Sequence, residues 1–254
     1  MNLDEIICGD NVAVMKTFPD ACIDLVVTSP PYDDLRTYGG HSWDFEGVAA
    51  QLTRVIKPGG VIVWVVADAT VNGSETGTSM RQALRFMELG MRLHDTMIWE
   101  KTGNGCIGSQ LCYSQQSEFM FVLSKQVAKT VNLIKDRENA IKSGIVTVNQ
   151  NLKPDGTFNR RKIERKPFGV RSNIWRIEPQ RDVTHPAAFP EALAGDHIKS
   201  WSNEGDIVLD PFNGSGTTCK SAKILQRRWI GIDVNEDYCA IARKRLEQGV
   251  FDFS

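Results

Sequence analysis

The sequence predicts an α/β fold built on an open sheet that is covered on both faces, and three stretches carry this prediction. Residues 23–27 form a β-branched apolar run, interrupted by one acid, that ends at a Ser-Pro-Pro corner. Residues 61–66 are almost continuously apolar, which is typical of a strand buried on both sides. Residues 207–209 lead into a glycine-rich turn and a helix, an arrangement that binds nucleotides in open sheets.

The other elements follow from apolar runs that alternate with proline and glycine punctuation. Strands are predicted at residues 5–8, 23–27, 61–66, 93–99, 118–123, 207–209 and 229–232. Helices are predicted at residues 11–18, 48–56, 79–89 and 190–201, and another begins at the glycine turn. The Lys-Pro-Gly-Gly stretch at 57–60 is expected to end the second helix, and polar loops are predicted at 33–44, 72–79 and 103–116.

Composition and length are those of one globular domain with an inserted lobe: 254 residues, 41% hydrophobic and 24% charged. No apolar run reaches the roughly 18 residues that span a bilayer. The acidic start lacks the basic and apolar pattern of a secretory signal, which predicts a cytoplasmic protein. The six cysteines form no Cys-x-x-Cys pair and have no histidines at zinc spacing, so no metal site is expected.

Charge is distributed unevenly along a chain whose net charge is only −1. Residues 125–182 contain fourteen Lys and Arg against six Asp and Glu, and the remainder of the chain is acidic. A basic segment on an acidic protein predicts a surface that binds a polyanion. The alternative is a solvated surface lobe without a partner.

The corner after residues 23–27 offers a distinctive set of groups. Ser29 supplies a hydroxyl, Pro30 a carbonyl and Tyr32 an aromatic face, while Pro31 stiffens the chain. Two acceptors beside a flat ring suit a planar base that carries an exocyclic amino group. The alternative is that these residues only form a turn.

The glycine-rich turn at 210–218 predicts a site for a ribose-bearing ligand with a compact anion. Its glycines let the backbone approach the ligand, and the helix start favours an anion. Asp233 ends the following strand and is placed to accept from ribose hydroxyls. Cys219 stands where a dinucleotide motif has its third glycine, and no Gly-Lys-Ser/Thr follows. S-adenosylmethionine fits these requirements.

Together, Thr-Ser-Pro-Pro-Tyr at 28–32 and Asp-Pro-Phe-Asn-Gly-Ser-Gly-Thr-Thr at 210–218 resemble the DNA amino-methyltransferases. The order of the motifs is similar to the permuted β class of that family. The resemblance implies a Rossmann-like, circularly permuted fold with a seven-stranded, mostly parallel sheet and a small inserted lobe. It also implies a catalytic half at 1–124, a basic target-recognition lobe at 125–182 and a cofactor-binding half at 183–254.

The resemblance implies two groups of site residues, and the charge of the basic segment predicts a third. The corner residues Ser29, Pro30, Pro31 and Tyr32 would be catalytic. Residues expected to bind the cofactor are Asp10, Thr28, Asp210, Phe212, Gly214, Ser215, Gly216, Thr217 and Asp233. Basic residues expected to contact DNA are Arg160, Arg161, Lys162, Arg165, Lys166 and Arg171. Thr217 and Thr218 have an alternative role as helix caps.

The expected reaction is transfer of a methyl group from S-adenosylmethionine to the exocyclic amine of a base flipped out of double-stranded DNA. The resemblance associates Ser at position 29 mainly with N4 of cytosine and Asp mainly with N6 of adenine, so cytosine is preferred. Methylation of cytosine carbon 5 needs a cysteine nucleophile, and none lies between Cys22 and Cys106. The alternatives are an inactive nucleic-acid-binding module and an RNA or small-molecule methyltransferase. A homodimer and a cognate restriction endonuclease are further expected partners.

Overall fold

The chain folds into two compact units. The computed structural model describes residues 1–31, 43–102, 113–140, 143–179 and 190–247. The main unit comprises Met1–Asn132 and Asn173–Ser254, and the lobe comprises Leu133–Ser172. The lobe lies inside the basic segment predicted at 125–182, and both ends of that segment belong to the main unit. The loops predicted at 33–44 and 103–116 lie mostly outside the described residues.

Six helices and fourteen strands are formed by the described residues. The helices are α1 (Asn11–Lys16), α2 (Phe45–Val55), α3 (Thr78–Glu88), α4 (Glu191–Trp201), α5 (Thr217–Ile224) and α6 (Glu236–Glu247). Strands of the main unit are β1 (Glu5–Cys8), β2 (Ile23–Thr28), β3 (Ile56–Val66), β4 (Thr70–Val71), β5 (Ser74–Glu75), β6 (Arg92–Lys101), β7 (Ser117–Ser124), β12 (Ile174–Ile177), β13 (Ile207–Asp210) and β14 (Arg228–Asp233). The lobe contains β8 (Arg137–Glu138), β9 (Gly144–Leu152), β10 (Phe158–Arg165) and β11 (Phe168–Gly169).

The main unit is organised by one sheet of eight strands within the described residues, in the order β1-β14-β13-β2-β3-β7-β6-β12. Strand β7 runs antiparallel to both of its neighbours, and the other pairs are parallel. All seven predicted strands are present, and β12 adds an eighth at the edge. Trp175 of β12 is buried and stacks on the His197 ring at 4.5 Å, which explains why this strand joins the main unit.

The core lies on both faces of the central strands. In β3 the run from Val61 to Val66 is buried throughout, as expected for a strand covered on both sides. Trp64 of this strand contacts Phe86 of α3 edge to face, with 5.2 Å between ring centroids. Its indole N–H donates to Gln82 at 2.9 Å, so the only polar atom of the buried ring is satisfied.

The start of β3 differs from the prediction. Helix α2 ends at Val55, directly before the Lys-Pro-Gly-Gly stretch as expected, but β3 begins at Ile56 and not at Val61, so residues 57–60 lie within a strand. Gly59 has a φ of 82°, and a Cβ on Gly60 would lie 2.8 Å from the Asp24 carbonyl oxygen. These glycines therefore let β3 bend and pack closely against β2.

The polar loop predicted at 72–79 instead contains a tight hairpin. Strands β4 and β5 are joined by Asn72 and Gly73, whose φ angles are 51° and 79°. Asn-Gly is the pair that best tolerates two successive positive φ angles in a two-residue turn. Helix α6 likewise has no counterpart among the predicted helices.

The sheet order brings four strand ends together. Because β1, β14, β13 and β2 are adjacent and parallel, their carboxyl ends meet along one edge. Those ends are Cys8, Asp233, Asp210 and Thr28. In open α/β sheets, ligands bind at the edge formed by the carboxyl ends of the strands.

Candidate active site

A buried hydrogen bond joins the two sequence motifs. The Thr28 hydroxyl donates to Asp210 Oδ1 at 2.7 Å, across 182 positions of the chain. A second bond joins the same two segments in the opposite direction, since the Thr218 hydroxyl donates to the Val27 carbonyl at 3.1 Å. The strand that feeds the Ser-Pro-Pro corner is therefore fastened directly to the glycine-rich turn.

Asp210 is the centre of this junction and is 1% exposed. Its Oδ1 also accepts from the Phe212 backbone N–H at 3.1 Å. Burial raises the pKa of the carboxyl from 3.8 to about 6, against the lowering effect of its hydrogen bonds to Thr28, Thr218 and the Phe212 amide. Asp210 thus connects the glycine-rich turn, through the Phe212 N–H, to the end of β2, through the Thr28 hydroxyl.

The glycine turn leaves the start of α5 available to an anion. Gly214 and Gly216 have φ angles of 50° and 87°, which favour glycine. No side chain among the described residues caps α5, whose N-cap is Gly216. The backbone N–H groups of a first helical turn without a side-chain cap are suited to a carboxylate. Thr217 and Thr218 lie inside this turn, so the capping role considered for them is not the one they adopt.

Asp233 lies at the adjacent strand end. Its Oδ2 accepts from the Gly214 N–H at 2.7 Å and its Oδ1 from the Asn235 N–H at 2.9 Å. A carboxylate has about four lone-pair sites, so two remain for hydroxyl groups of a ligand. Asp10 follows β1, beside β14, and caps α1 by accepting from the Ala13 N–H at 2.7 Å.

Ser215 of the turn is hydrogen-bonded to Arg245 of α6. The Ser215 hydroxyl and carbonyl both accept from Arg245 Nη1, at 2.8 and 2.9 Å. Arg245 and Lys220 also pair with the Glu191 carboxylate, at 2.9 and 2.7 Å, which connects α4, α5 and α6. Sequence analysis missed Arg245 and Glu191 as turn supports, because no local pattern links them to residue 215.

Aromatic side chains form a wall at the same edge. Phe212 meets Trp43 edge to face, with ring centroids 5.0 Å apart, and both side chains are half-buried. Trp43 was not among the predicted site residues, although a tryptophan at the end of a polar loop was a usable signal. A carboxylate acceptor, free helix-start amides and aromatic faces are the groups that a ligand with ribose, carboxylate and adenine moieties requires.

Gly231 and Asn213 fit each other closely behind the turn. A Cβ at Gly231 would lie 2.4 Å from Asn213 Oδ1. Asn213 is 4% exposed, and its backbone N–H donates to the Ile232 carbonyl at 2.9 Å. Glycine at 231 is therefore required by the packing of the turn against β14.

The corner follows β2 directly at this edge. Ser29 and Pro31 are half-buried and Pro30 is buried. Tyr32, the remaining predicted catalytic residue, lies outside the described residues. The described part of the corner is held beside the glycine turn by the bond from Thr28 to Asp210.

The predicted DNA-binding residues all lie in the lobe. Arg160, Arg161, Lys162 and Arg165 belong to β10. Arg171 pairs with Asp136, with Nε 2.8 Å from Oδ2, and this hydrogen bond lowers the pKa of that carboxyl. Lys166 is exposed.

Neither a cluster of metal ligands nor a membrane-spanning helix is present in the described residues. No three His, Cys, Asp or Glu side chains in the described ranges converge in a way that could hold a metal ion. None of the helices in those ranges is both long and apolar enough to cross a membrane.

Comparison with known proteins gives the family of the chain. A DNA methylase family model, for N6 and N4 enzymes, matches residues 23–244. An orphan methyltransferase of Bacillus amyloliquefaciens, M.BamHII, is 52% identical over 90% of both chains. The type II methyltransferase M.HpaI of Haemophilus parainfluenzae is 30% identical over 95% of this chain and 74% of its own. A DNA modification methylase structure from Thermus thermophilus, complexed with S-adenosyl-L-methionine, matches with a TM-score of 0.66 and 25% identity over 98% of this chain and 96% of that one. The chain belongs to the N6/N4 DNA methylase family.

Proposed function

We propose that this protein transfers a methyl group to the exocyclic amine of a base flipped out of double-stranded DNA, with N4 of cytosine as its target. The observation that carries the proposal is the bond from Thr28 to Asp210, which holds the Ser-Pro-Pro corner next to the glycine turn. A methyl donor bound at the turn and an amine bound at the corner would then be neighbours. Positioning of this kind accounts for a large part of catalysis in group transfer.

The enzyme is an S-adenosylmethionine-dependent DNA methyltransferase of the amino-methylating type. Bound S-adenosylmethionine supplies an electrophilic methyl group. The start of α5 after Gly216 binds its carboxylate, Asp233 accepts from its ribose hydroxyls, and the wall formed by Phe212 and Trp43 packs against its adenine. Thr28 and Asp210 act on this site by holding the strand ends together.

The corner acts on the amine. The lone pair of an exocyclic amine is delocalised into the ring, so the nitrogen is a poor nucleophile. Ser29 Oγ and the Pro30 carbonyl accept from its two N–H groups, which draws the nitrogen towards a tetrahedral shape and makes the lone pair available. Tyr32 stacks on the flipped base. This reaction needs no covalent intermediate, because the bond from the nitrogen to the methyl carbon would form as the bond from that carbon to sulfur breaks. The amine would release one N–H proton to water.

The choice of cytosine rests on residue 29. Serine is a neutral acceptor and shares the two amine protons with the Pro30 carbonyl. An aspartate at this position would accept more strongly through a charge-assisted bond, and the resemblance associates it mainly with adenine enzymes. Adenine N6 is the second candidate, because it presents the same planar amine to the same two acceptors.

The test is nucleoside analysis of DNA from a methylation-free host that expresses the protein. N4-methylcytosine is the expected product, and N6-methyladenine alone would falsify the choice of base but not the reaction. A protein that binds S-adenosylmethionine and DNA yet modifies neither base would be the inactive binding module. Methylated RNA with unmodified DNA would instead reassign the substrate.

The proposed function also divides the chain into three parts and gives the protein two further partners. The basic segment at 125–182 serves target recognition, between a catalytic half at 1–124 and a cofactor-binding half at 183–254. The protein works in the cytoplasm, where its DNA substrate lies. It acts as a homodimer. A restriction endonuclease that cleaves the same recognition sequence is its partner enzyme. Size-exclusion chromatography with light scattering tests the dimer, and cleavage of unmodified DNA by the genomic neighbour tests the pairing.

A further inference from the structure

The lobe contains a two-stranded antiparallel ribbon, formed by β9 and β10. Its strands are joined by a closed turn, in which the Lys153 N–H donates to the Thr157 carbonyl at 2.7 Å. Asp155 fixes the same turn by accepting from the Thr157 N–H at 2.9 Å. The ribbon therefore ends in an ordered tip. Strand β9 of the ribbon has nine residues and is about 30 Å long at the usual rise per residue.

The register of the ribbon assigns every side chain to one of two faces. Arg160 pairs with Asn149 and Lys162 with Thr147, and paired residues point to the same side of a sheet. The open face consists of Ile145, Thr147, Asn149, Arg160, Lys162 and Glu164, which are all exposed. The opposite face consists of Gly144, Val146, Val148, Arg161, Ile163 and Arg165.

The two faces differ in chemistry and burial. Val146, Val148 and Ile163 on the opposite face are apolar and half-buried, and Arg165 is half-buried as well. The open face is polar at its centre, where two cations lie across from an amide and a hydroxyl. Side chains of directly paired residues lie about 5 Å apart across the two strands, and alternate residues of one strand, which share a face, lie about 6.7 Å apart. The four central groups thus form one compact patch.

These four groups match the chemistry of base edges. Arg and Lys bind guanine O6 and N7, Asn binds adenine N6 and N7, and Thr pairs with either base or contacts the thymine methyl. The ribbon carries five Lys and Arg against two Asp and Glu over residues 144–165, which suits a polyanion. A two-stranded ribbon fits the major groove of B-DNA, which is about 12 Å wide.

From this arrangement we infer that the ribbon enters the major groove and that its open face reads the recognition sequence through Arg160, Lys162, Asn149 and Thr147. Arg161, on the opposite face but exposed, contacts a phosphate and carries no sequence information. The inference rests on the proposed function and assigns its specificity to one face of one element. Double-stranded RNA is disfavoured, because its deep and narrow major groove excludes side chains.

The test compares two arginines that are adjacent in sequence and lie on opposite faces. Direct sequencing of DNA from a methylation-free host first defines the site that the wild-type protein modifies. Methylation of duplexes with that site, and with each single base-pair change, is then measured as kcat/KM. Arg160→Ala should lose roughly tenfold or more of the discrimination at one base pair. Arg161→Ala should weaken binding to all of the duplexes by the same factor. It should also lower the slope of log affinity against log salt concentration by about one.

A second variant guards against an effect of Arg160→Ala on folding. Asn149→Ala should relax discrimination at a base pair next to the one that Arg160 reads, while the neighbouring changes keep their wild-type ratios. Unchanged discrimination in both variants would overturn the inference, as would loss of discrimination at the same base pair in Arg161→Ala. Equal affinity of the wild-type protein for double-stranded RNA would also overturn it. Failure of the wild-type protein to methylate any DNA would instead overturn the proposed function, and the inference with it.

Discussion

At the scale of single residues, Asp210 is a carboxyl in an unusual environment, because it is 1% exposed. It is buried at the junction of two motifs, and its Oδ1 receives both the Thr28 hydroxyl and the Phe212 amide. An Asn side chain can keep both bonds through its carbonyl oxygen. Its amide nitrogen can donate to Thr218, whose own hydroxyl proton is used by the Val27 carbonyl.

The first prediction concerns Asp210 and pH. Folding raises the pKa of this carboxyl from 3.8 to about 6, so its contribution to stability is complete below about pH 4 and is lost as the pH rises towards 6. Asp210→Asn removes this loss. Relative to wild type, the variant should gain roughly 2 kcal/mol of unfolding free energy between pH 4 and pH 7. Urea unfolding of both proteins across that range measures the difference.

Asp155→Asn is the control for the sign of this effect. Hydrogen bonds from Thr157 lower the pKa of the exposed Asp155 carboxyl, so its contribution to stability is present above about pH 4 and lost in acid. Its variant should therefore lose stability relative to wild type as the pH rises. If the difference in unfolding free energy between Asp210→Asn and wild type does not change with pH, ionisation of Asp210 does not destabilise the fold.

The second prediction concerns Ser29. Ser29→Ala removes one of the two acceptors that we propose for the substrate amine. It should lower the single-turnover rate roughly ten- to hundredfold, the value of one hydrogen bond that acts in the transition state. Affinity for S-adenosylmethionine should stay within about twofold by calorimetry, since in the proposed reaction this hydroxyl acts on the base and not on the cofactor. Ser74→Ala, which removes an exposed hydroxyl of β5, is the matched control. A wild-type rate in Ser29→Ala would remove this residue from the mechanism.

At the scale of elements, the site depends on close packing between a turn and a strand. The glycine turn rests on β14 through Asn213, and it is fastened to α6 through the contact of Ser215 with Arg245. If the turn binds the cofactor as we propose, this site at the ends of a strand and a helix is sensitive to changes in the elements behind it.

The third prediction tests that packing with two glycines. Gly231→Ala places a Cβ 2.4 Å from Asn213 Oδ1, so Asn213 has to move. We expect a loss of about 1–3 kcal/mol in stability, together with weaker binding of S-adenosylmethionine. Gly195→Ala in α4 is the control, because apart from its chain neighbours and the backbone of its own helix the added Cβ has no described heavy atom within 4 Å. It should instead stabilise the protein by up to about 1 kcal/mol.

Urea unfolding and calorimetry with S-adenosylmethionine distinguish these outcomes. If Gly231→Ala binds the cofactor as tightly as wild type, the position of Asn213 does not determine the shape of the turn. If Gly195→Ala also loses affinity, the effect of Gly231→Ala is not specific to the turn.

At the scale of the whole molecule, the basic charge is concentrated in one unit. The lobe contains ten Lys and Arg against four Asp and Glu, while the chain as a whole has a net charge of −1. A protein with this distribution is expected to bind DNA through phosphate contacts whose strength depends steeply on salt.

The fourth prediction tests the role of this charge. Neutralising Lys153, Arg161 and Lys166, three exposed cations of the lobe away from the open face, should lower the slope of log affinity against log salt by about two to three. The control neutralises Lys16, Arg92 and Lys244, which are exposed in the main unit. Fluorescence anisotropy with a labelled duplex gives both slopes. Equal slopes in the two triple variants would make the lobe an ordinary solvated surface.

Local sequence patterns determined most of the elements. The seven predicted strands are present, because apolar runs bounded by proline and glycine report burial and turns within a few residues. The pair of motifs, through its resemblance to a known family, also predicted the family and the order of the motifs along the chain. The Asn72-Gly73 hairpin was equally readable from the sequence and was missed.

Only the tertiary structure decided how those elements meet. The bond from Thr28 to Asp210, the support of Ser215 by Arg245 and the entry of β12 into the main sheet join residues far apart in the chain. Such contacts depend on strand order and register, which local hydrophobicity does not encode. For the same reason the sequence predicted a basic segment, but only the register of β9 and β10 assigns Arg160 and Arg161 to opposite faces. A shift of one residue in that pairing would exchange the two faces.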